Sequence, residues 1–405
     1  MNVSQPFSMS KFATIMVALE EAIEKVMNEA RVLPMEEISL TEAQGLVLAE
    51  DVFSDLDMPP FRKAAVDGFA CRREDLDKPL KVIETIAAGE VPQKSIGVQE
   101  CTRIMTGAMV PEGADCVVMI EHTIGEDEGT IRFIGDKTSD NIAQKGEDIR
   151  KGEKVLSAGT ILEAQHIAVL ASVGRFTPKV YRRPLVGIIA TGNELVEPWE
   201  QPKAGQIRNS NAWQTIAQVK KTGAEYIYDG IVKDNPQALS EKINLFRQKV
   251  DVLLFSGGIS MGEYDYVPQV MKDAGLSLIF KDIDIQPGRP TLFGILDHIA
   301  VFGLPGNPVS SFVQFELMVH PFIYTSMGKT FHAHIRHLPI GEDFYRTKAN
   351  RRSLIPVRIE NDWIFPVKYH GSAHINAYTF ASGWIDIPKG KKELKKGEMI
   401  DVRLL

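Results

Sequence analysis

Three apolar stretches in the second half of the chain each run straight into a polar, glycine-bearing loop and then into a helix-like segment. Residues 185–190 lead to Thr191-Gly192-Asn193-Glu194. Residues 252–255 lead to Ser256-Gly257-Gly258-Ile259-Ser260 and on to Asp265, and residues 299–302 to Gly303-Leu304-Pro305-Gly306-Asn307-Pro308. A strand that ends in such a loop gathers backbone N–H groups and a helix N-terminus about one spot, a ready anion site. Three of them predict one parallel sheet with its ligand at the carboxyl ends of the strands. They also predict a phosphorylated or otherwise anionic substrate.

The rest of the chain reads as three further parts, in keeping with 405 residues at roughly 100–150 residues per domain. Residues 11–30 predict a helix, with Ile15, Leu19, Ile23 and Val26 on one face and Glu20, Glu21, Glu24 and Lys25 opposite. Thr41-Glu42-Ala43-Gln44 has a capping-box pattern that opens a second helix through Ala49. Short β-type runs follow at 79–86, 100–105, 114–120 and 130–133, between Gly and Pro turns. Residues 163–172 return to helix, with Ile167, Leu170 and Ala171 on an apolar face and Gly174 at C′. This segment is expected to pack back on the first helices, which makes the β part an insertion. Residues 353–359, 363–367 and 399–405 suggest a small β-barrel at the end. The expected architecture is an α/β multidomain chain. It has a discontinuous helical domain (1–50 with 140–183), an inserted β domain (51–139), a central parallel-sheet α/β domain (184–330) and a C-terminal barrel (331–405).

Composition narrows the partners. A net charge of −7 disfavours nonspecific nucleic-acid binding, which needs clustered Lys and Arg. An anionic substrate must then be neutralised locally by a few basic side chains, backbone N–H groups or a bound cation. The cysteines, Cys71, Cys101 and Cys116, are odd in number and lack a CxxC. They give no disulfide framework and fit a reducing cytoplasm. Neither a signal peptide nor an apolar run of about 18 residues is read, so no membrane association is expected.

The individual motifs leave alternatives open. Gly257-Gly258 suits a plain βα turn or, with Ser256, Ser260, Glu263 and Asp265 close by, a phosphate and magnesium site. The loop at 303–308 suits a rigid turn with Pro at N1, or an anion site with Pro305, Gly306, Asn307 and Ser310 at the mouth of a helix over 309–319. Glu194 suits a helix-dipole partner, a metal ligand or a ribose ligand. Gly328-Lys329-Thr330 lacks the leading glycine of a P-loop, and His332, His334 and His337 read as surface histidines.

The segments DMPPF…AAVDGFA, IMTGAMVPEGADCVV, GEDI, ATGNEL, SGGISMGEYDY, QPGRP and GLPGNPVSS occur in the order found in the molybdopterin molybdenumtransferases. These are proteins of the bacterial MoeA type, related to the gephyrin E domain, and the resemblance runs from about Ala43 to the C-terminus. It implies four domains and the last step of molybdenum cofactor synthesis: molybdate enters the dithiolene of adenylylated molybdopterin, and AMP leaves with help from a divalent cation, Mg2+. It further implies a homodimer, with the site between the α/β domain of one subunit and the N-terminal and β domains of the other, and transient contact with other cofactor-biosynthesis proteins. By motif, Asp67 and Thr106 resemble the functional pair of the inserted domain. Asp148, Glu194, Asp234 and Asp265 resemble its acidic positions, the last three as metal ligands. Ser372 resembles the C-terminal serine, and Arg351 or Arg352 the C-terminal arginine. With Ser256, Gly257, Gly258 and Ser260, Arg289 and Lys281 complete the expected substrate-binding set.

The chain departs from the family pattern on the basic side. Asp282 and Gln286 stand where lysines are common, with Lys281 adjacent to the first, and Ala143 stands where an arginine often precedes GEDI. Two other readings share parts of these motifs: a molybdopterin adenylyltransferase, which uses the same α/β domain type with ATP, and a non-catalytic scaffold. The DMPPF and GLPGNP segments and the additional domains speak against the first, and the lack of an extra partner domain against the second.

Overall fold

The computed structural model describes residues 16–125, 129–259 and 266–405. The chain forms two compact units. One takes Tyr181–Leu405 with Gly45–Val47 and the N-terminal segment up to Glu36; the other takes Glu37–Gln44 and Leu48–Val180.

A seven-stranded sheet centres the first unit. Its strands are β1 (Met16–Val17), β2 (Leu185–Thr191), β3 (Glu225–Val232), β4 (Val252–Ser256), β5 (Ser277–Ile283), β6 (Pro290–Leu296) and β7 (Ile299–Leu304), in the spatial order β1-β5-β6-β7-β4-β2-β3. Strands β7, β4, β2 and β3 are mutually parallel. Every residue of β4 and β7 is buried, as a strand covered on both faces requires. The three strands with glycine-bearing loops are parallel as expected, and one other strand departs from that direction: β6 runs antiparallel to both β5 and β7. Its connections decide this. Residues 284–289 precede it and Asp297-His298 follow it, whereas a parallel crossover needs about a dozen residues.

Helices cover both faces: α1 (Leu19–Glu29), α2 (Ser210–Thr222), α3 (Pro236–Phe246), α4 (Val267–Asp273), α5 (Pro308–Gln314) and α6 (His320–Ser326). Alternation along the strands divides the core. Val186, Ile188 and Phe302 pack with α1, α2 and α5, while Ile189, Leu253, Phe255 and Val301 pack with α3 and α4. The helix expected over 309–319 starts one residue earlier, at Pro308, and continues through a π-helical stretch, Phe315–Val319, into α6. The first helix begins at Leu19, because Met16–Val17 instead extend the sheet beside β5; residues 11–15 lie outside the described residues.

The C-terminal strands are β8 (Ile335–Pro339), β9 (Arg352–Glu360), β10 (Trp363–Pro366), β11 (Gly383–Ile387) and β12 (Met399–Leu404), paired in the order β10-β9-β11-β12-β8. A bridge from Ile340 to Ile364 joins the two ends into a ring. Leu338, Val357, Ile364, Ile385 and Val402 fill its interior.

In the second unit, six strands pair in the order Cys116–Met119, Gly68–Cys71, Glu100–Ile104, Leu80–Ile86, Thr130–Phe133 and Thr123–Gly125. Cys71 stands directly opposite both Cys101 and Cys116, so the three thiols form a row on one face, fully buried with Leu80 and Val118. Ala164–Ser172 is a helix capped reciprocally by Glu163 and His166, and Gly174 follows it with φ 73. It packs on Leu40–Ala43. That second N-terminal helix ends at Ala43, not Ala49, where Gly45 turns the chain with φ 78. Of the two N-terminal helices, α1 joins the core of the first unit.

Candidate functional site

Three segments of the first unit surround a cavity of about 580 Å³. The first is the β7–α5 loop. Asn211, Gln214 and Gln218 stand on one face of α2 and donate to the carbonyls of Gly306 (2.7 Å), Pro308 (3.3 Å) and Phe312 (3.2 Å). This ladder at helical spacing fixes the loop and the start of α5. The second is the turn from β5 to β6. Ile285 and Gln286 pair with Arg352 and Ser353, and the buried Gln314 donates to the Pro287 carbonyl (3.3 Å). Gly288 has φ 104, and a Cβ there would sit 2.2 Å from Gln314 Nε2; no larger residue fits. The third comes from the barrel: residues 348–351 and 369–372, the latter tied to α5 by the Val309 N–H, which donates to Ser372 O (3.0 Å).

The lining is cationic. Arg289, Lys348 and Arg351 face the cavity together with Asn307, Ser310, Asn350, Tyr369 and Ser372, and among the described residues no carboxylate lines it. Arg289 is paired with Asp282 at 3.7 Å. Burial raises the Asp282 pKa above the usual carboxylate value, against the pull of Arg289, Lys281 and Arg351. Burial also pushes the Tyr369 phenol up to about 12, and its hydroxyl has no hydrogen-bond partner among the described residues.

Of the residues singled out in the sequence, Arg289, Pro305, Gly306, Asn307, Ser310, Arg351 and Ser372 thus meet around one cavity. Arg352, the neighbour of Arg351, is turned elsewhere, bonded to Asp386 (2.8 Å) and Glu20. Lys281 is buried on β5 at a break in strand register and does not line the cavity. Ser256, Gly257 and Gly258 end β4 beside the cavity loop: Gly257 N–H donates to Leu304 O (3.3 Å), and its Cα lies 3.9 Å from where a Gly306 Cβ would stand. Ser260 and Asp265 lie outside the described residues.

Glu194 and Asp234 follow the neighbouring strands β2 and β3. Asn193 N–H donates to Asp234 Oδ2 (3.0 Å), and Asp234 N–H donates to Asn193 Oδ1 (3.2 Å). Among the described residues no group of three His, Cys, Asp or Glu is placed to hold a metal. His337 is bonded to Asp401 (2.7 Å).

The second unit carries its own polar corner. Asp67 Oδ1 accepts from both the Thr106 N–H (2.6 Å) and the Thr106 hydroxyl (2.7 Å). These donors, the backbone N–H foremost, hold the Asp67 carboxyl below its usual pKa. Asp148 is exposed on a turn whose N–H donates to Met58 O (3.0 Å).

Lys348, Asn350 and Tyr369 were not singled out from the sequence. They belong to none of the glycine-bearing motifs; the basic run Lys348-Ala349-Asn350-Arg351-Arg352 was the available signal.

Three family models match in order: the MoeA N-terminal region (domain I and II) over residues 17–174, a probable molybdopterin binding domain over 187–325, and the MoeA C-terminal region (domain IV) over 342–405. The chain is 34% identical to a molybdopterin molybdenumtransferase of Staphylococcus aureus (strain COL), across 96% of this chain and 95% of that protein. A namesake from Staphylococcus epidermidis matches at the same identity and coverage. Among solved structures, a molybdopterin biosynthesis MoeA protein from Pyrococcus horikoshii superposes with a TM-score of 0.82 at 33% identity, covering 96% of this chain and 99% of that one. The likeness extends over both units and the barrel, and the chain therefore belongs to the molybdopterin molybdenumtransferase family, enzymes that insert molybdenum into molybdopterin in molybdenum cofactor biosynthesis.

Proposed function

We propose that the cavity holds the oxyanions of this reaction, molybdate and the phosphates of adenylylated molybdopterin, and that AMP is released as molybdenum enters the dithiolene. The observation that carries this reading is the convergence of Arg289, Lys348 and Arg351 on one cavity. Three cations in a partly enclosed space attract a multiply charged anion far more strongly than in bulk water. The hydroxyls of Ser310 and Ser372 would donate to its oxygens and set its orientation. Asp67, ionised at neutral pH, would accept a proton or a donor from the substrate, with Thr106 fixing its direction. Asp148 would add negative potential in the second unit.

Glu194 and Asp234 end adjacent strands and offer carboxylate oxygens, the donor type magnesium prefers; with Asp265 they would hold the ion. When bound, the ion would offset phosphate charge and polarise the phosphoanhydride. We further propose a homodimer acting in the cytoplasm.

The test is AMP release by the purified chain given adenylylated molybdopterin, with and without molybdate and magnesium. Molybdate-dependent AMP release supports the reading. Turnover of ATP and molybdopterin, with no reaction on the adenylylated compound, would replace it with an adenylyltransferase. Asp265→Asn is expected to abolish AMP release and to leave the thermal unfolding curve in place.

A further inference from the structure

The barrel's share of the cavity wall depends on a side chain that does not enter it. Arg346 follows the short strand Phe344–Tyr345, and its guanidinium bonds four backbone carbonyls. Nε donates to Lys348 O (3.3 Å), Nη1 to Ile387 O and Pro388 O (3.2 Å each), and Nη2 to Arg351 O (2.6 Å). Burial lowers its pKa from the ordinary arginine value. A guanidinium so placed gains little from charge pairing; its fork of donors is spent on backbone. Lys348 and Arg351 are the two ends of a four-residue segment. Arg346 ties both ends to the end of β11, and Gly390 N–H holds the middle through Ala349 O (2.8 Å). The segment therefore presents its side chains from a pinned backbone, and Lys348, Asn350 and Arg351 all line the cavity.

The opposite wall is short of positive charge. Gln286 lines it with a neutral side chain, and Asp282 draws on the charge of Arg289. Lys281 is buried off the cavity. A tetrahedral oxyanion bound between the walls would meet Arg289, already shared with a carboxylate, on one side and the 348–351 segment on the other.

We propose that Lys348 is an oxyanion-binding residue of this enzyme, and that Arg346 is its positioning residue. Resting on the reading of the cavity given above, the inference places on the barrel loop the charge that positions 282 and 286 do not carry. Its ligand is a tetrahedral dianion: molybdate, or a phosphate of the nucleotide.

The experiment measures equilibrium binding of molybdate alone and of AMP alone to the full chain, at fixed ionic strength. Lys348→Met is expected to weaken one of the two anions by about tenfold or more, as loss of a charge-assisted contact does; the anion affected names the source. Lys348→Arg should restore most of that affinity. Arg346→Lys should weaken binding of the same anion with kcat unchanged, and combined with Lys348→Met its loss should be less than additive. Wild-type affinity for both anions in Lys348→Met, with Arg351→Met impaired, overturns the role of Lys348 and leaves the cavity reading standing. Unchanged binding in both variants overturns the cavity reading itself. Strictly additive losses overturn the positioning role of Arg346.

Discussion

The cavity of the first unit and the Asp67–Thr106 corner of the second solve opposite electrostatic problems. In the cavity, three cations share one space, and their backbones are held by buried neutral or hydrogen-bonded side chains: Gln314 and Arg346 directly, and the α2 ladder from behind. In the corner, a single exposed carboxylate is stabilised by two donors of a single residue. The cavity is costly to assemble and depends on distant packing. The corner is cheap and local, and a single substitution is enough to dismantle it.

Substitutions can separate the two. Asp67→Asn should lower turnover by at least about 100-fold, as loss of a proton-handling group does, with molybdate binding to the free protein unchanged; a matching loss of binding would merge the two regions into one function. Arg351→Met should weaken oxyanion binding by roughly 10- to 100-fold, the range for a charge-assisted hydrogen bond, as read by titration of the free enzyme. Gly288→Ala should lower stability by about 1–3 kcal/mol through its positive φ and the clash with Gln314, seen as a fall in Tm with weakened anion binding. Thr106→Val removes the hydroxyl donor from Asp67 and leaves the backbone one. The native pKa of Asp67 is depressed, so its stabilising effect is present above the ordinary carboxylate value and is lost as pH falls through the depressed one. The variant should therefore shift the acid limb of the kcat profile to higher pH, and an unmoved limb would detach Asp67 from that titration. The smallest effect is expected of Asp282→Asn, which frees Arg289 from its carboxylate and should tighten anion binding by about two- to threefold.

Local signals in the chain carried the strand–loop units well. Apolar runs closed by glycine-bearing loops at 256–258 and 303–308 are decided by neighbours in sequence, and β2, β4 and β7 extend those runs by one or two residues. The direction of β6 was less legible. It depends on connection length and on which strand lies free to pair, not on the composition of 290–296. The start of α1 was misjudged because Met16 and Val17 suit a helix by pattern, while tertiary pairing with β5 takes them into the sheet. In the cavity, glycines and prolines announced two walls. The third wall, from residues 348–351 and 369, carries no glycine-bearing motif, and of these residues only Arg351 was a candidate, by resemblance. Its side chains reach the cavity because β9 pairs with Ile285–Gln286 and Arg346 ties the loop to Ile387 and Pro388, and both are contacts between distant parts of the chain.

The row of Cys71, Cys101 and Cys116 has a practical reach. All three side chains are closed off from solvent; burial pushes the Cys101 thiol up to about 12, while the Cys71 thiol beside it lowers Cys116, so it is lack of access that keeps this row unreactive in the native fold. A maleimide fluorophore applied to the folded protein should attach only to a cysteine introduced on the surface. The enzyme can then be labelled at chosen single positions with its natural cysteines left in place, and the delayed reaction of those three with a thiol reagent becomes a clock for opening of the second unit.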